Sequence, residues 1–169
     1  MKMNAKKIAL WGVMSALAIV LGYLEHLVPF PIGIYGIKIG LANLAVTVPL
    51  YLLGVPAAIT INVLRIALSS LLFGNTVSLL YSLAGGLLSI LVMIIVRSTK
   101  KFSPTGVSLC GGIAHNVAQM TIAVFLVDNL KIAFYLPVLM ITGALAGTLV
   151  GVCANILIKN PTLRRLSGI

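Results

Sequence analysis

Acidic residues are almost missing, since Glu25 and Asp128 are the only two in 169 residues. That scarcity excludes paired-carboxylate acid–base catalysis, carboxylate-clustered metal sites and the Asp-rich motifs that hold magnesium against a diphosphate. No glycine-rich phosphate loop ending in Lys and Ser or Thr is present either, so the chain cannot drive transport with its own ATP. Both acids fall at the edges of apolar runs, which leaves no buried carboxylate for proton coupling, and any active transport must take its energy from elsewhere. The two cysteines, Cys110 and Cys153, lie inside apolar runs and match no metal-ligand spacing, so they read as small packing residues. Charge of either sign is scarce at 8%, against 60% hydrophobic residues and a mean hydropathy of +1.17. Such a composition lies far outside that of water-soluble globular domains. The chain is predicted to be an all-α, polytopic integral membrane bundle forming one transmembrane domain over residues 1–169. It is expected not to be an enzyme, with no catalytic or metal-binding residues and no cofactor.

The formal net charge of +10 raises the question of nucleic acid, and the placement of the basic residues answers it. They flank apolar runs. Lys2, Lys6 and Lys7 precede the first, Arg97, Lys100 and Lys101 separate the fourth from the fifth, and Lys159, Arg164 and Arg165 follow the last. The alternate loops hold only Lys38 and Lys131. By the positive-inside rule the three basic clusters belong to the cytoplasmic side, which requires an even number of crossings with both termini inside. The first run continues through Tyr23 without a small-residue cleavage site and reads as a retained helix rather than a signal peptide. No nucleic-acid partner is expected, and the compact size suits a multi-pass protein of the bacterial plasma membrane.

A spanning helix takes roughly 20 apolar residues, so this length has room for about six. The runs are Ile8 to Leu24, Ile39 to Leu53, Ala57 to Phe73, Thr76 to Val96, Gly106 to Val127 and Ala133 to Ile158. The second carries Pro49, and Gly54 and Pro56 separate it from the third. Both of these runs are short, and a re-entrant pair is an alternative that leaves the parity of crossings unchanged. The loop from Glu25 to Lys38 is rich in proline, glycine and aromatics and is expected to face outward. Small and polar residues recur at helical spacing within the runs. The glycines Gly143, Gly147 and Gly151 read as a close helix-packing stripe.

Arg65 is the most informative residue, because it lies about eight residues, or roughly 12 Å, from either end of its run. A guanidinium stays protonated and at such depth must face protein, water or an anionic ligand. The plainer reading is a structural arginine bonded to helix carbonyls and to Asn62. His115, Asn116 and Gln119 form a second polar cluster at about mid-depth, where each needs a partner in a medium that offers none. Ala9, Gly12 and Ala16 give the first run a small-residue face that lets another helix approach closely, either from a partner or from the same chain.

The segments Lys38-Ile-Gly-Leu-Ala-Asn43, Leu64-Arg65 to Phe73-Gly74, Ser82-Leu-Ala-Gly-Gly86 and Gly111-Gly-Ile-Ala-His-Asn-Val-Ala-Gln119 resemble the family called Gx transporters, also labelled heptaprenyl diphosphate synthase component I. The family in turn is similar to the substrate-binding S components of energy-coupling factor (ECF) transporters. Those are six-helix membrane proteins that capture vitamins or related molecules outside and are driven by a shared ATPase module. The resemblance implies a coupling subunit and ATPases as partners, beside membrane lipid and a small-molecule substrate. In S components an Ala-x-x-x-Ala motif on the first helix docks on the coupling subunit; the matching spacing here is Gly12 to Ala16, with Gly replacing the first Ala.

These observations combine into a transporter component that binds a small, anionic or acceptor-rich molecule on the outward side of its core, a precursor of vitamin, flavin or quinone type. The expected substrate-binding residues are Lys38, Asn43, Asn62, Arg65, His115, Asn116 and Gln119, with the Glu25 to Lys38 loop as a lid. Docking is assigned to Ala9, Gly12 and Ala16. Two rival readings stay open: a non-catalytic membrane subunit supporting prenyl-lipid or quinone synthesis or electron transfer, and a stand-alone facilitator.

Overall fold

The computed structural model describes residues 5–27 and 40–168, except for the side chains of residues 26 and 42. Its seven α-helices are α1 (Ala5–Leu27), α2 (Leu41–Leu52), α3 (Val55–Phe73), α4 (Thr76–Ser98), α5 (Pro104–Val127), α6 (Leu136–Lys159) and α7 (Pro161–Ser167). A 3-10 turn, Leu130–Tyr135, leads into α6, so the start of the sixth run is a tighter helix than its hydropathy suggests. The α7 helix was not foreseen from the apolar pattern, because seven polar-rich residues carry no such signal.

Local chemistry sets the boundaries. Asn75 caps α4 by accepting from the Ser78 N–H at 2.8 Å, and Ser103 caps α5 just before Pro104. Asn160 accepts from Thr162 and Leu163 at the start of α7, again with a proline in the first turn. Between α2 and α3 the chain reverses at Gly54, whose φ of 93° is open to glycine and strained for other residues.

Among the described residues, five helices (α1, α3, α4, α5 and α6) are long and apolar enough to cross a membrane. Helix α2 is not, since its 12 residues rise only about 18 Å against a hydrocarbon core of about 30 Å. Its surroundings explain how it persists. Ala45, Val46, Thr47, Val48, Pro49 and Leu50 are all fully buried, so every face of α2 meets protein. It packs against α1, α3 and α6. A helix that is apolar all round belongs in a core, and Pro49 is tolerated there without ending the helix. Two apolar clusters wrap it, one built with Leu10, Met14, Ala18 and Ile61, the other with Ile90, Met93 and Val107. The third run forms a helix of 19 residues, long enough to span, beside the short α2.

Helices α5 and α6 lie in direct backbone contact through the glycine stripe expected for close packing. A Cβ on Gly147 would sit 2.6 Å from the Ser108 carbonyl oxygen, and one on Gly151 would sit 2.7 Å from the Cα of Thr105. Outward faces carry Leu64, Leu68 and Leu71 on α3 and Leu145, Leu149, Val152 and Ile156 on α6, all exposed. Apolar area of this extent suits lipid, and the chain is a multi-pass membrane protein. Lys6, Lys7, Arg97, Lys159, Arg164 and Arg165 gather at one end of the bundle. There Arg97 at the end of α4 stacks 5.0 Å above the Tyr51 ring near the end of α2, and α7 packs on the beginning of α1.

Candidate polar cavity

The helices converge on a polar cavity of about 50 Å³ in the half of the bundle away from the basic end. Each of α1 to α6 contributes. Glu25 comes from the last turns of α1, Asn43 from the first turn of α2 and Arg65 from the middle of α3. Ser82 comes from α4, His115 and Asn116 from α5, and the backbones of Gly112, Gly143 and Gly147 close the far wall.

Arg65 is held from behind. One terminal guanidinium nitrogen donates to the Asn62 side-chain oxygen at 2.8 Å and reaches the Asn43 oxygen at 3.4 Å. Asn62 is fixed in turn by donating its own amide N–H to the Gly86 carbonyl at 2.9 Å. Gly86 makes that approach possible, as a Cβ there would meet Ile66 Cδ1 at 2.5 Å. The Nε of Arg65 is buried and has no hydrogen-bond partner among the described residues. A charged donor in such a state marks a place for an acceptor.

His115 lies over Gly85, where a Cβ would fall 2.8 Å from the imidazole Cε1 and Nε2. The helix pair α4 and α5 thus sets the ring by removing a side chain opposite it. Asn116 donates to the Leu139 carbonyl at 2.6 Å, and the Thr142 hydroxyl donates to the same oxygen at 3.0 Å. That pairing ties the cavity wall of α5 to the first turns of α6.

Of the residues expected to bind substrate, Asn43, Arg65, His115 and Asn116 come together at the cavity. Asn62 stands behind the wall as the support of Arg65. Gln119 is buried one turn beyond His115 on the same side of α5 and does not line the cavity, which ends short of it along the helix. Lys38 and most of the expected lid lie outside the described residues.

Glu25, expected at the edge of a loop, instead lies half-buried in the last turns of α1. Helix α1 continues past Leu24 to Leu27, which carries Glu25 into the cavity wall instead of a loop. Its carboxylate accepts the backbone N–H of Leu41 at 2.6 Å. Gly40, the residue before α2, has a left-handed φ of 77° and no side chain to cap with, so a carboxylate sixteen residues upstream satisfies the helix end. The signal was present in the sequence, since Ala18, Gly22 and Glu25 follow one another at the spacing of a single helix face. Ser82 and Gly112 lay on the polar and small stripes but were not singled out as cavity residues.

Ala9, Gly12 and Ala16 sit on the exposed side of α1, and a Cβ added to Gly12 meets nothing within 4 Å. The stripe therefore does not pack against another described helix of this chain. No curated protein and no solved structure matches the chain. Residues 14–157, most of the length, match the family described as heptaprenyl diphosphate synthase component I. The polytopic bundle with its central polar cavity belongs to that heptaprenyl diphosphate synthase component I family.

Proposed function

We propose that this chain is the ligand-capturing membrane component of a transporter rather than an enzyme, binding a small acceptor-bearing molecule in the central cavity for uptake driven by an ECF-type ATPase module. The observation that carries this reading is Arg65, a guanidinium in the middle of a membrane helix with a buried, unpartnered Nε at a cavity shared by six helices. A purely structural arginine would be expected to use its donors on the protein. The exposed stripe of Ala9, Gly12 and Ala16 supports docking of a coupling subunit, for it offers a flat surface at the basic end of α1. The basic end faces the cytoplasm of a bacterial plasma membrane by the positive-inside rule, and the cavity then opens toward the outer half.

The family's description favours a second reading, a non-catalytic membrane subunit of a prenyl diphosphate synthase. With two acids in the whole sequence, such a subunit would contribute binding and not the metal-dependent chemistry. Reconstitution separates the two. Proteoliposomes holding the chain and an ECF-type ATPase module should accumulate the small molecule that co-purifies with the protein, identified by mass spectrometry, only when ATP is supplied. Accumulation independent of the module would indicate a facilitator, and a co-purifying synthase subunit with no accumulation would favour the second reading.

A further inference from the structure

Helix α7 is held against the bundle by one side. Leu163 packs on the apolar cluster that contains Leu10 and Met14 of α1, and Ser167, one turn later, is fully buried. With that side turned inward, Arg165 points away from the bundle and Arg164 flanks it, and both are exposed. Lys6 at the start of α1 and Lys159 at the end of α6 are exposed as well. Lys7 reaches the last residue of this junction, its Cε 3.2 Å from where a Cβ on Gly168 would stand. Five basic side chains from three helices therefore gather where α1, α6 and α7 pack together. No acidic side chain balances them. The chain has only two, of which Glu25 lies at the other end of α1, roughly 27 Å from Lys7 at 1.5 Å per residue. Asp128 follows α5 at the end opposite Ser103.

We propose that this junction binds the headgroup of an anionic phospholipid, with Arg164, Arg165, Lys159 and Lys6 as its phosphate contacts. The apolar runs end here, so the junction meets the depth of lipid headgroups, where basic segments attract anionic lipid and guanidinium groups pair with phosphate. Trp11, one turn after Lys7, packs on the same apolar cluster as Leu163, and indole rings favour this boundary. Leu166, exposed beside the two arginines, gives α7 an apolar edge for acyl chains. The stripe assigned to a coupling subunit does not compete for this surface. Ala9, Gly12 and Ala16 stand about 140° to 180° around α1 from Lys7, so a partner seated on them leaves the junction open to lipid.

The test takes the full chain in detergent and titrates it with dioleoyl phosphatidylglycerol, dioleoyl phosphatidylcholine or inorganic phosphate, with thermal unfolding as the readout. Phosphatidylglycerol should raise the unfolding temperature saturably and well beyond phosphatidylcholine, and inorganic phosphate at equal concentration should not. Arg164→Gln combined with Arg165→Gln should bind phosphatidylglycerol at least about fivefold more weakly. Lys6→Gln combined with Lys159→Gln should weaken it in the same direction, which keeps the proposal testable if the arginine variant does not fold. Lys100→Gln combined with Lys101→Gln removes the same charge from exposed positions before α5 at the same end and should keep wild-type affinity. Equal losses in all three double variants would reduce the effect to net charge and overturn the site. An undiminished preference in a folded arginine variant, or no preference for phosphatidylglycerol in the wild type, would also overturn it. Equal stabilisation by inorganic phosphate would replace the lipid with a free anion and refute the assignment.

Discussion

At the residue scale, two side chains with the same apparent status in the sequence have different jobs. Arg65 and Asn62 share a helix face, yet one lines the cavity and the other braces it. Arg65→Ala removes a charged donor from the wall and should lower affinity for the co-purifying molecule more than tenfold, as loss of a charge-assisted hydrogen bond costs about 1.5 to 3 kcal/mol. His115→Ala should weaken binding as well, and equilibrium binding to protein that retains a cooperative melt reads both. Retained affinity in a well-folded Arg65→Ala protein would make the arginine structural. Gly85→Ala puts a methyl group against the imidazole and should destabilise by roughly 1 to 3 kcal/mol, in the range of core overpacking. Gly12→Ala, which meets open space, should stay within about 0.5 kcal/mol of wild type, so thermal unfolding of the pair separates a tight wall from an open face.

Among the helices, α1 has two working ends. Its final turns deliver Glu25 to the cavity and to the start of α2, and its beginning exposes the small-residue stripe. Substitution at the stripe should therefore leave the cavity untouched. Gly12→Leu or Ala16→Leu is expected to abolish association with a coupling subunit and ATP-driven uptake while preserving ligand affinity and the melting temperature. Co-purification and binding measured on the same variants check this, and uptake retained by the leucine variants would remove the docking role. The opposite behaviour is expected at the α5–α6 seam. Gly147→Leu cannot be accommodated beside the Ser108 carbonyl without separating the two helices, and the variant should lose expression and cavity binding together. The sequence showed small residues at helical spacing in both stripes, and neighbouring backbone distinguishes the packed one from the open one.

For the bundle as a whole, orientation follows from charge and can be probed directly. In a background lacking Cys110 and Cys153, a cysteine at position 100 should be labelled from the cytoplasmic side only, and one at position 130 from outside only. Labelling of position 100 in intact cells would reverse the orientation and place the cavity in the cytoplasmic half. The gathering of Lys6, Lys7, Arg97, Lys159, Arg164 and Arg165 at one end, joined by the contact of α7 with α1, gives this test a single well-defined face to report on.

The amino-acid sequence by itself determined the solvent this protein needs, the approximate limits of its apolar helices, and the placement of basic clusters beside alternate apolar runs. These depend on composition and local periodicity, which act on each stretch of chain independently. It also singled out Arg65, since a permanent charge within an apolar run is conspicuous without any knowledge of its neighbours. What stands opposite that charge depended on how the helices turn toward one another. Only the tertiary structure decided that α2 is a short core helix enclosed by α1, α3 and α6, that Glu25 belongs to the cavity, and that Gln119 lies off its wall. The physical reason lies in how the helices pack. In a chain apolar on nearly every side, hydropathy scarcely distinguishes lipid from core, and the direction each helix faces is settled by close contacts such as Gly85 with His115 and Gly147 with Ser108.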